Sequence, residues 1–354
     1  MPNSRTYVAI ALASAALVGG IAASLDLGSK PVREKAPAAS PAPQARTTAI
    51  GTWRAPPTGR QIPIWPGPAP GTDPASRPPE SVLTAATPEA LHGATSQAVF
   101  DVTSPTMTIF PPKDRNEGAA VIVFPGGGFK AVVITLQGTE ICDWITSKGM
   151  TCIISKYRVP KSNHHYDEKC DCGVTPKVPR ALQDAQRTIR LVRSKAGELN
   201  IDRNKIGVLG FSAGGYLVAQ TSNIFEPAYE AVDAVDKISS RPDFAISFYP
   251  GHLCRRGGKL DPAIRVTRRT PPTFLLQAWD DPVDNICNST LYARALDEAG
   301  VPAEVHLFAR GGHAFGLRRM NHPVAIWPRL VEGWLQEIGI LGRQTARAGS
   351  EPSG

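Results

Sequence analysis

The 354-residue chain is 42% apolar and 20% charged. That composition excludes a disordered chain and suffices for one large α/β domain or two small ones. Its formal net charge of +8 comes from scattered basic residues with no nucleic-acid-binding motif among them, so a solvated surface is expected and no nucleic-acid partner.

Arg5 precedes an apolar run over residues 7–23, and small residues (Gly20, Ala22, Ala23, Ser24) follow its most apolar part. This pattern reads as a secretory signal peptide, with an uncleaved membrane anchor as the alternative. Either reading places the remainder outside the cytoplasm, periplasmic or secreted. Residues 26–95 are dominated by Pro, Ala, Gly, Thr and Ser. Such a composition cannot bury enough apolar surface to fold alone and is expected to form an extended tether. Trp53, Ile62, Ile64 and Trp65 interrupt it, and Ile62-Pro63-Ile64-Trp65-Pro66 is a candidate for packing onto the domain. The expected division is therefore a leader or anchor at 1–25, a tether at 26–95, a folded domain at 96–342 and a polar tail at 343–354.

Within that domain the pattern alternates. One or two opening strands fall between residues 98 and 109. Residues 119–124 are continuously apolar, as in a strand buried on both faces. A helix is expected at 139–147, a strand at 150–155, a polar, Pro-bearing insertion at 159–179, and an amphipathic helix at 179–196. Strands follow at 205–209, 244–248, 273–278 and 301–308, with helices after Ser212, at 289–299 and at 324–338. Alternation of this kind implies a mostly parallel sheet with helices on both faces. The strand C-termini then share one edge, where catalytic groups collect.

The six cysteines are Cys142, Cys152, Cys170, Cys172, Cys254 and Cys287. An even count in an exported protein permits disulfides. Cys142 and Cys152 fall on adjacent elements and are expected to be neighbours, bridged or as thiols; a clamp between Cys254 and Cys287 is a second hypothesis. Cys170-Asp171-Cys172 with His164 and His165 is a poor imitation of a zinc site, and no metal or organic cofactor is expected.

Gly210-Phe211-Ser212-Ala213-Gly214 lies between a strand pattern and a helix pattern. That is the setting of a nucleophile elbow, where a sharp turn exposes a serine hydroxyl. A serine needs a histidine base oriented by a carboxylate, here in the chain order Ser, Asp, His. His306 lies inside an alternating strand, whereas His313 sits in the glycine loop Gly311-Gly312-His313 just after it and is the expected base. Asp280, Asp281 and Asp284 follow the preceding strand. Asp281, directly before Pro282-Val283, is the favoured acid, and the other two are alternatives that otherwise cap the turn. Pro125-Gly126-Gly127-Gly128-Phe129 follows the buried strand and is expected to supply oxyanion donors from Gly127 and Gly128, with the Ala213 N–H as the second donor. The run lacks the Lys-Ser/Thr ending of a phosphate loop.

With these residues in hand, the chain resembles the α/β-hydrolase superfamily. More narrowly it resembles exported esterases related to acetyl-xylan esterases, feruloyl esterases and the acetyl-esterase/lipase group. The resemblance rests on Val123 through Phe129, Lys156-Tyr157-Arg158-Val159, Ala181 through Arg187, Lys205 through Gly215, Asp281-Pro282-Val283 and Gly311 through Gly316, and it spans roughly residues 98–339. It implies an α/β-hydrolase fold and a serine esterase acting on short-chain, acetyl-type esters, on a small molecule or a glycan. Pro125 stands where hormone-sensitive-lipase-like enzymes carry His, and Asp284-Asn285 where many relatives have Val-Pro. Tyr157, Arg158, Asp184 and Arg187 are expected to be scaffold. A prolyl-oligopeptidase-type peptidase and a non-catalytic binding module are the competing readings.

Overall fold

A computed structural model describes residues 46–71, 78–86, 95–160, 165–167, 172–175, 179–318 and 322–342. The expected leader at 1–25, the tail at 343–354 and Cys170 lie outside the described residues.

The core is an eight-stranded sheet. Its strands are β1 (Arg60–Pro63), β2 (Thr106–Phe110), β3 (Ala120–Phe124), β4 (Thr151–Lys156), β5 (Ile206–Phe211), β6 (Phe244–Phe248), β7 (Thr273–Ala278) and β8 (Ala303–Phe308). They lie in the order β8-β7-β6-β5-β3-β4-β2-β1. Strands β3 to β8 run parallel, and β2 is antiparallel to both β4 and β1. Every residue of β3, β4, β5, β6 and β7 is buried, which is why these segments read as apolar runs and not as alternations. The C-termini of β3, β5, β6, β7 and β8 share one edge, as the crossover rule requires.

The connecting helices are α1 (Glu140–Ser147), α2 (Arg180–Ser194), α3 (Ala213–Asn223), α4 (Cys287–Glu298) and α5 (Trp327–Glu337). Two of the expected helices begin with tighter or wider turns: a π-type turn over Thr135–Thr139 leads into α1, and a 3₁₀ turn over Pro323–Ile326 leads into α5. Helix α2 departs from the amphipathic pattern. Its polar side is also buried, because each charge finds a partner. Asp184 accepts from Arg158 and from the Trp65 indole, and Arg187 pairs with Asp233 and Asp236. Arg190 reaches the Tyr229 hydroxyl, and Arg193 reaches Asp243. Arg158, Asp184 and Arg187 thus act as scaffold.

The tether boundary needs correction. From Arg46 onward, the described residues of the Pro-rich stretch belong to the fold. Strand β1 closes one edge of the main sheet, and Arg46–Ile50 and Ser81–Ala86 form an antiparallel sheet with Thr95–Phe100 and Ala131–Val132. Trp53, Ile64 and Trp65 are buried. Glu80 forms a buried ion pair with Lys156 at 2.7 Å and accepts the Trp53 N–H at 2.8 Å. Two large aromatic side chains supply the apolar burial that the surrounding Pro and Ala residues lack.

Both testable disulfide expectations are met: Cys142 of α1 is bonded to Cys152 of β4, and Cys254 to Cys287 at the start of α4. The described part of the 159–179 insertion is a small hairpin of His165–Asp167 and Cys172–Val174.

Candidate active site

Ser212 sits between β5 and α3 with φ 55° and ψ −119°, a sparsely populated conformation that only an over-determined turn sustains. The turn is tied from both sides. The Ser212 N–H donates to the Phe248 carbonyl at 3.0 Å, and the Ser212 carbonyl accepts from the Tyr216 and Gly251 N–H groups. Its glycines are required by close approach: a Cβ on Gly214 would sit 1.9 Å from the Phe124 oxygen, and one on Gly210 would sit 2.2 Å from the Gly214 oxygen. Ser212 ends at the shared sheet edge, 8% exposed.

Two neighbouring loops bring His313 and Asp281 to the same edge. His313 Nδ1 and Asp281 Oδ2 are 2.8 Å apart. The other Asp281 oxygen accepts the N–H groups of Val283 and Asp284, which fixes the carboxylate. Asp280 has a different task. Its Oδ1 accepts the Gly311 and Gly312 N–H groups at 2.8 and 2.7 Å, pinning the histidine loop to the acid loop. The Tyr249 ring packs edge-on to His313, with centroids 4.7 Å apart. Burial pulls the imidazole pKa down, but the Asp281 hydrogen bond and the charges of Asp284 and Asp281 outweigh it, and the net shift is upward.

Asp284 occupies the gap between Ser212 and His313. Ser212 Oγ donates to its Oδ2 at 3.3 Å, and the same oxygen is 3.8 Å from His313 Nε2. Among the described residues Ser212 forms no hydrogen bond to His313. Burial pushes the Asp284 carboxyl up to about 6, against the attraction of His313 and with the repulsion of Asp281.

The glycine loop after β3 is braced. The Gly126 N–H donates to Gln137 Oε1 at 2.7 Å, Gln137 Nε2 donates to the Tyr249 hydroxyl, and that hydroxyl donates to the Phe315 carbonyl at 2.9 Å. This chain links the glycine loop to the histidine loop. Gln137 was not singled out from sequence, since a buried Gln carries no motif. The Pro125 carbonyl accepts the Tyr157 hydroxyl. Gly126 is thereby spent. Among the described residues the N–H groups of Gly127, Gly128 and Ala213 have no partner in the chain, and Ala213 opens α3, where the helix dipole favours negative charge.

One wall is a short loop after β6. His252, at φ 60°, stacks on Phe129 at 5.6 Å. The Cys254–Cys287 bond ties this loop to α4, and Asn288 Oδ1 accepts the N–H groups of Leu253 and Cys254.

Comparison with known proteins identifies the fold. The chain is 31% identical to the acetyl ester-xyloside bifunctional hydrolase of Caldicellulosiruptor lactoaceticus, whose crystal structure superposes with a TM-score of 0.62 over 81% of this chain and 98% of that one. The chain belongs to the α/β-hydrolase superfamily. Two family patterns match within it, BD-FAE over residues 107–237 and the prolyl oligopeptidase family over residues 182–339. This α/β hydrolase is also 28% identical over 259 residues to an acetylxylan esterase of Xylanibacter ruminicola, covering 66% of this chain and 47% of that protein. It thus spans about half the length of that relative. A butyrate-bound esterase of Thermogutta terrifontis aligns at 25% identity with a TM-score of 0.55, over 68% of this chain and 92% of the other.

Proposed function

We propose that this α/β hydrolase is a serine esterase that hydrolyses short-chain, acetyl-type carboxylic esters through an acyl-enzyme on Ser212. The observation that carries the reading is the meeting, at one sheet edge, of a serine on a strained elbow with a histidine whose far nitrogen is held by Asp281 at 2.8 Å. In the mechanism, Ser212 Oγ turns from Asp284 to His313 Nε2 and gives up its proton as the oxygen attacks the ester carbonyl. Asp281 holds the imidazole tautomer and stabilises its charged form. The N–H groups of Gly127 or Gly128 and of Ala213 receive the oxyanion. His313 returns the proton to the leaving alcohol, and water then releases the acid and restores Ser212.

The esterases among the relatives support the ester as substrate, and the xyloside hydrolase and acetylxylan esterase support an acetylated plant polysaccharide as its natural form. The N-terminal apolar run supports export, with the same run as signal peptide or anchor. The test is p-nitrophenyl acetate hydrolysis by the purified protein beside its Ser212→Ala variant, with fluorophosphonate labelling of both. Turnover and labelling are expected in the wild type only; undiminished turnover in the variant sinks the assignment. The prolyl oligopeptidase match keeps one competitor in view. Faster cleavage of an acyl-prolyl p-nitroanilide than of the acetate would favour it.

A further inference from the structure

A serine, a histidine and one orienting acid suffice for ester hydrolysis, and Asp284 is a second carboxylate at the same point. It is no loosely placed rim acid. Its N–H donates to Asp281 Oδ1 at 3.0 Å, and its carbonyl accepts Gln277 Nε2 at 2.6 Å, with Gln277 held in turn by Ser289. Its Oδ1 packs against Gly251, where a Cβ would come within 2.9 Å of it. The side chain keeps 18% exposure, so it is reachable from the open side of the site.

In the free protein the carboxylate is satisfied by the Ser212 hydroxyl at 3.3 Å. That donor disappears on attack, because the Ser212 proton moves to His313 Nε2. The new Nε2–H is then committed to the leaving oxygen. Asp284 then loses its donor within the protein, and a substrate hydroxyl that takes that place adds a hydrogen bond made at the transition state. The leaving oxygen must lie within hydrogen-bond reach of Nε2, and Asp284 Oδ2 is 3.8 Å from that nitrogen. A hydroxyl on the carbon next to the ester-bearing carbon falls within reach of the same carboxylate.

We infer that Asp284 selects the alcohol half of the ester: its carboxylate accepts a hydrogen bond from a hydroxyl vicinal to the ester oxygen, favouring partly acylated sugars and other polyol monoesters over esters of simple alcohols. The inference rests on the esterase reading and names the substrate class of that site. A fully acylated sugar or a capped diol offers only further acceptors to the carboxylate and is disfavoured.

The experiment compares 2-hydroxyethyl acetate with 2-methoxyethyl acetate, in which a methyl caps that hydroxyl, as kcat/KM on the wild-type protein and on Asp284→Ala. The wild type is expected to prefer the hydroxyethyl ester by about tenfold or more, the size of one hydrogen bond to a charged group. In the variant the ratio is expected to fall toward one. A wild-type ratio near one overturns the inference, even where the variant fails to fold. So does a ratio that survives in a folded variant, which would leave Asp284 as a structural partner of Ser212. Absence of turnover on both acetates and on p-nitrophenyl acetate would strike the esterase reading itself.

Discussion

Replacing Asp284 by Asn removes one negative charge beside His313 while keeping the side chain's size and an acceptor for Ser212. The carboxylate lies 3.8 Å from His313 Nε2. A unit-charge pair at that separation is worth about 4 kcal/mol at an effective dielectric near 20 and about 1 kcal/mol in water. With the side chain 18% exposed and its own pKa near 6, the lower end applies, or about one pKa unit. The sign follows from the chemistry. Only neutral imidazole can take the Ser212 proton, and a carboxylate at Nε2 favours imidazolium, so Asp284 raises the pH at which the base becomes available. Asp284→Asn should therefore move the acid limb of the kcat/KM–pH profile for p-nitrophenyl acetate downward by about one unit. In the wild type the limb belongs to the coupled pair and not to either residue. Asp281→Asn is the control: it removes the group that fixes the tautomer, and kcat should fall by about 10⁴-fold. An acid limb that stays in place, or rises, in Asp284→Asn would refute the electrostatic argument.

Two further predictions concern the frame around the site. Glu80→Gln leaves the Lys156 ammonium, 1% exposed, without its counter-charge. Urea unfolding should show a loss of about 3–5 kcal/mol, whereas a loss below about 1 kcal/mol, the value of a surface pair, would mean that the segment before residue 95 is not part of the folded core. Cys254→Ser with Cys287→Ser opens a loop whose ends are 33 residues apart. Chain entropy puts the loss near 4 kcal/mol, and kcat/KM should fall as well, because the same bond holds the loop that packs on Asp284. Unchanged thermal unfolding and activity in the double variant would remove the clamp from the account.

The sheet was legible because β3 to β7 are buried on both faces and so appear as unbroken apolar runs. The elbow and the histidine loop were legible because backbone geometry itself demands their glycines and small residues. The N-terminal packing was legible only in part: Ile64 and Trp65 stood out among the prolines, but the strands around them did not, and the partner of the Trp65 indole, Asp184, lies 119 residues away. The polar face of α2 misled for the same reason, since Asp233, Asp236 and Asp243, which bury its arginines, are remote in sequence.

Asp284 illustrates the general limit. Sequence placed three carboxylates on one turn and left their roles to be divided. The division is made by hydrogen bonds within that turn and across to its neighbours. Asp280 takes the two glycine N–H groups of the histidine loop, and Asp281 takes the Val283 and Asp284 N–H groups and the imidazole. Once Asp281 Oδ1 has folded the chain back at Val283, the next side chain is directed into the gap in front of Ser212. The carboxylate that holds the imidazole and the carboxylate in front of Ser212 are therefore consequences of one turn. A substitution at Asp281 should consequently disturb both, whereas one at Asp284 should disturb the alcohol side and the pH limb while leaving the imidazole held.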